Sequence, residues 1–167
     1  MNDSPSNPAE RPNPAERPDP AGRPDPPESP GTLVVERVFP HPPEKVWRAL
    51  TESPLLAQWM MNNDFEPTVG HTFQFQAEPR PSWSGVVDCK VLVVDPLQRL
   101  SYSWGTGGPE SGLAWVVLWT LTPAEGGTRV RMEQSGFRPD QKSNYQGAKY
   151  GWKIFFDALD RVIGRLD

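Results

Sequence analysis

The chain has 167 residues, 36% of them apolar and 23% charged, with 21 prolines, one cysteine and a formal net charge of −4. That length favours one folded domain with an appendage. Arg11, Arg17 and Arg23 face six acidic side chains within the first 30 residues, so the remainder is close to neutral, which argues against general nucleic-acid binding and its need for clustered Lys and Arg. The lone Cys89 excludes an intrachain disulfide and fits a reducing compartment. No apolar run approaches the ~20 residues of a membrane span, and the N-terminus lacks the apolar segment of a signal peptide. A cytoplasmic protein with no membrane span is expected.

Residues 7–30 repeat with a period of six: Asn-Pro-Ala-Glu-Arg-Pro at 7–12 and again at 13–18, then variants at 19–24 and 25–30. Ten prolines in the first 30 residues block helix and sheet hydrogen bonding and favour extended polyproline II. Residues 1–30 are therefore expected to form a disordered, solvated spacer ahead of one domain over 31–167. A ligand for a proline-recognising groove is the other reading, but the tail lacks the aromatic anchors such grooves read.

Leu33 to Phe39 is rich in β-formers and predicts the first strand. Pro42-Pro43 then opens a helix with Val46, Trp47 and Leu50 on its apolar face. Ser53 as N-cap and Pro54 as first helical residue predict a second short helix carrying Leu55, Leu56, Trp59 and Met60. Thr72 to Gln76 alternates cleanly with Phe73 and Phe75 on one face. Trp83 to Val94 reads as a long β run, ended by Asp95-Pro96, and Arg99 to Trp104 alternates again. Gly105 to Gly112 is a glycine-rich loop. Leu113 to Leu121 sets Trp115, Val117, Trp119 and Leu121 in one phase. A hairpin turn over 123–127 leads to Thr128–Gln134, with Val130 and Met132 inward.

The last stretch, Ser143 to Leu166, predicts a long helix. Ala148, Trp152, Phe155, Leu159, Val162 and Leu166 recur in steps of three and four, the period of one helical face. Ser143 with Gln146 reads as a capping box, and Arg161 and Arg165 complement the helix dipole at the far end. One long helix against many strands predicts an α+β fold: a curved antiparallel sheet wrapped around the C-terminal helix, with two short helices after strand one.

Candidate chemistry is sparse. His41 precedes two prolines and reads as a loop or cap residue, whereas His71 shares the phase of Phe73 and Phe75 and is a candidate to touch a ligand. Two distant histidines and one cysteine do not make a metal site, so no metal and no cofactor are expected. Asp88 and Glu133 fall on outward phases, no nucleophile elbow frames Ser135, and the glycine-rich loop lacks the Lys of a phosphate loop. No catalytic residue is assigned. Cys89 shares the phase of Trp83, Val87 and Val91, which suits a buried, inert thiol. What remains is aromatic: Trp59, Phe73, Phe75, Trp83, Tyr102, Trp104, Trp115, Trp119 and Trp152 are candidates to line a space between sheet and helix, with His71 and Gln134 as polar contacts. Such a lining suits an apolar or aromatic small molecule.

Residues 43–51, Leu56 to Trp59, Val69 to Phe73, Val91 to Pro96, Arg99 to Trp104, Leu121 to Val130, Ser135 to Phe137 and Gly151-Trp152 together resemble the SRPBCC (START-like, birch-pollen-allergen-like) superfamily. Within it they are most similar to the family named for the C-terminal domain of the heat-shock-protein-90 ATPase activator. The resemblance spans about residues 32 to 166 and implies a helix-grip fold, a sheet gripping the C-terminal helix around a cavity. This chain departs from many relatives in having Met60 where a second Trp follows the first. It also has a proline-rich segment where the chaperone activator carries a chaperone-binding domain. The favoured function is binding of a small hydrophobic or aromatic ligand without transforming it. A chaperone-associated co-factor, with a chaperone as partner, and a cyclase or dehydratase acting in the same cavity are the alternatives that the resemblance implies.

Overall fold

The computed structural model describes residues 31–108 and 111–166; the expected spacer at 1–30 lies outside the described residues. Seven strands form one antiparallel sheet: β1 (Thr32–Phe39), β2 (Asn62–Asn63), β3 (Thr72–Gln76), β4 (Val86–Asp95), β5 (Arg99–Thr106), β6 (Leu113–Ala124) and β7 (Gly127–Ser135). Their order is β1-β7-β6-β5-β4-β3-β2. Between β1 and β2 lie the short helices α1 (Pro43–Thr51) and α2 (Ser53–Trp59), and a 3-10 turn (Pro139–Gln141) leads into the long helix α3 (Lys142–Gly164). The architecture is the expected helix grip: a curled half-barrel sheet with α3 on its concave side.

Alternation decides which side is concave. Phe73 and Phe75 of β3, Val87, Cys89 and Val91 of β4, and Trp115, Val117, Trp119 and Leu121 of β6 are all buried at every second position. A bulge between Val91 and Val93 shifts the β4–β5 register, which bends the strand and strengthens the local twist. The β4–β5 turn follows the same economy of residues: Gln98 N–H donates to Asp95 C=O at 2.9 Å, with Pro96 and then Leu97 between them. Leu97 takes φ +67°, the left-handed conformation that this turn type normally gives to glycine.

Three local expectations are corrected. Ser53 does not cap α2; its hydroxyl instead bonds Asn63, with oxygens at 2.7 Å and 3.1 Å, tying the helix to β2. Ser143 does not cap α3, which begins one residue earlier; the capping-box geometry belongs to Arg138 and Gln141 around the 3-10 turn. The buried face of α3 runs through Tyr145, Trp152, Phe156, Leu159, Val162 and Ile163, while Phe155 is only half-buried. Phe156 is drawn inward because it stacks on both Phe39 of β1 and Trp119 of β6, at 6.2 and 5.6 Å between ring centres. The helix thus presents a stripe wide enough to include two adjacent phenylalanines, a choice a 3.6-residue period leaves open.

The strand expected from Trp83 begins later, at Val86. Gly85 has φ +87°, and a side chain there would strike the Ala77 carbonyl, so regular pairing stops. The chain continues as a short hairpin in which Arg80 and Trp83 exchange both backbone hydrogen bonds, at 2.7 and 3.0 Å.

Candidate functional site

The concave face carries a nearly continuous series of touching rings. Phe65, in the segment between β2 and β3, meets Phe73 at 5.1 Å; Phe73 meets Phe75 at 5.3 Å; Phe75 meets Trp104 of β5 at 5.4 Å. Trp104 reaches Trp152 of α3 at 5.6 Å, and Trp152 contacts Trp119 at 5.6 Å and Phe155 at 5.4 Å. Trp59 of α2 closes the group, edge-on to Trp119 at 5.7 Å. These are the edge-to-face and tilted geometries that aromatic quadrupoles favour. Two members differ from the rest: Trp104 and Phe155 are half-buried, and both lie against Trp152. They mark a rim where sheet and helix meet.

Polar atoms inside are few and almost all paired. Each of the four buried tryptophans donates its indole N–H: Trp59 to Ala49 C=O at 2.8 Å, Trp115 to Gln141 Oε1 at 3.3 Å, Trp119 to Tyr102 Oη at 3.0 Å, and Trp152 to Gln134 Oε1 at 2.7 Å. The exception is Trp83, whose Nε1 is buried and has no protein partner. An unmet buried N–H costs about 1–3 kcal/mol, so this atom needs an account. Among the described residues, no carboxylate, Lys, Arg or His is buried; the buried polar residues are Thr51, Ser101, Thr128, Gln134 and Gln141. Burial pushes the Tyr102 hydroxyl well above its ordinary range, against a smaller lowering by the Trp119 hydrogen bond. Burial, with Asp88 and Asp64 nearby, does the same to the Cys89 thiol. At neutral pH both stay protonated, so the interior offers neutral donors and ring faces rather than an anion. Among the described residues, no group of three or more His, Cys, Asp or Glu side chains could hold a metal ion.

The structure brings together Trp59, Phe73, Phe75, Tyr102, Trp104, Trp119, Gln134 and Trp152 on the concave side. Trp115 is buried in a second group, with Phe137 at 5.2 Å, and Phe137 in turn meets Tyr145 at 5.2 Å. His71 stacks on Phe73 at 6.2 Å, but it stays partly exposed and its Nε2 lies 2.9 Å from Asp64 C=O. It therefore sits at the margin of the ring series. Trp83 packs half-buried against the core from its hairpin. Sequence reasoning missed Phe65, Phe155 as a rim residue and Phe156 as a core residue. Phe65 stands alone in a polar stretch with no periodic partner, so no pattern points to it.

The family described as Activator of Hsp90 ATPase homolog 1-like protein has a profile that matches residues 40–164. Among solved structures, protein MLL2253 from Mesorhizobium loti is 51% identical, with a TM-score of 0.74 over 81% of this chain and 98% of that one. DynU16, from the dynemicin biosynthetic locus, is 26% identical with a TM-score of 0.69, over 81% of this chain and 48% of that one. The Aha1 dimer from Colwellia psychrerythraea shares the fold at 24% identity and a TM-score of 0.66, over 79% of this chain and 95% of that one. No curated protein matches. The order of strands, the placement of α3 and the span of the profile agree: the chain belongs to the Activator of Hsp90 ATPase homolog 1-like family, within the SRPBCC superfamily.

Proposed function

We propose that this protein binds a small, largely apolar or aromatic molecule at the border between its sheet and α3, and releases it unchanged. The observation that carries this reading is the pair of half-buried rings, Trp104 and Phe155, against Trp152. The deep rings, Trp119 and Phe156, are closed against one another, so the guest enters at the rim and slots between the rim residues. Apolar burial there contributes ~25 cal/mol per Å², several kcal/mol for a drug-sized molecule before the costs of binding, which makes micromolar affinity reasonable. The neutral interior supports binding over acid–base chemistry, since a general acid or base needs a group that titrates near the working pH. A relative that belongs to a biosynthetic locus also favours a small-molecule guest.

The test is a panel of fatty acids, flavonoids and aromatic polyketides, read by intrinsic Trp fluorescence and melting temperature. At least one class is expected to change the fluorescence and raise the melting temperature, and Trp104→Ala is expected to weaken that response while keeping a cooperative fold. If no class moves either signal, the reading fails. The family description supports a second reading, association with an Hsp90-type chaperone; capture of that chaperone by a protein inert to the whole panel would favour it.

A further inference from the structure

Trp83 stands at an unusual place. It lies on the hairpin that extends β3 and β4 past Gly85, and its ring packs half-buried against the core. The hairpin that holds it is closed by its own backbone: Ala77 N–H to Gly85 C=O at 2.8 Å, Arg80 N–H to Trp83 C=O at 2.7 Å, and Trp83 N–H to Arg80 C=O at 3.0 Å. Its tip is exposed at Arg80, Pro81 and Ser82, while the Trp83 ring packs against the core. Antiparallel pairing brings this hairpin to the end of the sheet where β5 finishes: Val87 opposes Thr106 and Asp88 opposes Gly105, one residue past Trp104. The ring with the unmatched donor is therefore carried at the same end of the sheet as Trp104.

Among the described residues, Trp83 Nε1 is the one buried side-chain polar atom without a hydrogen-bond partner. Trp59, Trp115, Trp119 and Trp152 each have a protein acceptor, so the fold provides acceptors where its own packing needs them. A buried donor on a self-contained hairpin, given none, is suited to an acceptor that arrives with a guest. We propose that Trp83 is a specificity-determining residue: its Nε1–H donates to a carbonyl or similar neutral oxygen on an otherwise apolar aromatic ligand. Among the described residues no charged side chain is buried, which favours a neutral oxygen over a carboxylate that would be desolvated without a counter-ion. Apolar rings hold the body of the guest and the indole N–H selects for the oxygen, because a site built around a donor rejects an analogue that leaves the donor unpaired. This inference rests on the binding reading above.

The experiment compares 9-fluorenone, a flat tricyclic ketone, with fluorene, the same skeleton with a methylene in place of the carbonyl. Each is titrated into the wild-type protein and into Trp83→Phe, which keeps a ring and removes the N–H. Nitrogen-15 indole spectra, with the Trp83 signal assigned by its loss in the variant, report the hydrogen bond directly. Wild type is expected to prefer the ketone by at least about tenfold, with a downfield shift of the Trp83 N–H that fluorene does not produce. Trp83→Phe is expected to bind both compounds alike, near the wild-type affinity for fluorene. If wild type binds both equally, or if the preference survives in Trp83→Phe, the role assigned to Trp83 is overturned while the binding reading stands. If neither compound binds wild type, the binding reading fails for flat aromatic guests and the role of Trp83 falls with it.

Discussion

Trp119 of β6 and Tyr102 of β5 are joined by a hydrogen bond of 3.0 Å from indole N–H to phenol oxygen, and both side chains are closed off from solvent. The pair sits where α2, α3 and the sheet converge, with Trp59, Trp152 and Phe156 all touching the Trp119 ring.

Tyr102→Phe removes the acceptor but keeps the ring. The Trp119 N–H is then buried without a partner, which costs about 1–3 kcal/mol. The urea midpoint is expected to fall with little change in slope, since the surface exposed on unfolding is the same. An unchanged midpoint would show that another group satisfies the indole.

Two glycines should respond to alanine in opposite directions. Gly147 lies inside α3, where an added methyl meets nothing within 4 Å, so Gly147→Ala is expected to stabilise by about 0.5–1 kcal/mol through helix propensity. Gly127 begins β7, and a methyl there would strike the Phe39 carbonyl on β1. Gly127→Ala is expected to destabilise by about 1–3 kcal/mol or more as β1 is pushed away. Thermal unfolding of the two variants checks both signs.

Stability should decline in alkali. Folding holds the Cys89 thiol and the Tyr102 phenol protonated above their ordinary values of 9.0 and 10.0. The unfolded chain loses those protons first, so above pH 9 it binds fewer protons than the native state, and unfolding free energy falls as pH rises. The contribution is fully present below the ordinary thiol value. It is lost from there upward at ~1.4 kcal/mol per pH unit for each group, with the phenol joining above pH 10. Urea midpoints from neutral pH to about pH 11 measure this, and Cys89→Ala is expected to make the first part of the decline shallower.

The strands could be read from the sequence because alternation is explicit there: β3 has two phenylalanines separated by glutamines, and β6 has four inward residues in register. The existence of α3 was equally legible, but its rotation was not. Choosing Phe156 over Phe155 depends on Phe39 and Trp119, which lie more than thirty residues away in sequence. Caps failed for a related reason: Ser53 had a competing partner in Asn63 that only the tertiary fold supplies. The candidate site divides in the same way. Inward phase identified most of its rings, but phase says nothing about which ring has an unpaired donor, and Trp83 became distinct only when the acceptors of the other indoles were located.

The pairing of β1 with β7, Thr32 opposite Ser135 and Phe39 opposite Thr128, has a consequence for how the chain is made. Every other strand in the sheet lies beside a strand next to it in sequence, so its pairing needs only local chain. Strand β1 alone waits for a partner roughly a hundred residues later, and such distant contacts slow folding. Until β7 emerges, β1 is an unpartnered apolar edge on a nascent chain, the segment most open to capture by another strand. A circular permutant that moves β1 to follow α3 would shorten both the wait and the separation in sequence, because β1 would then appear after its partner was already in place.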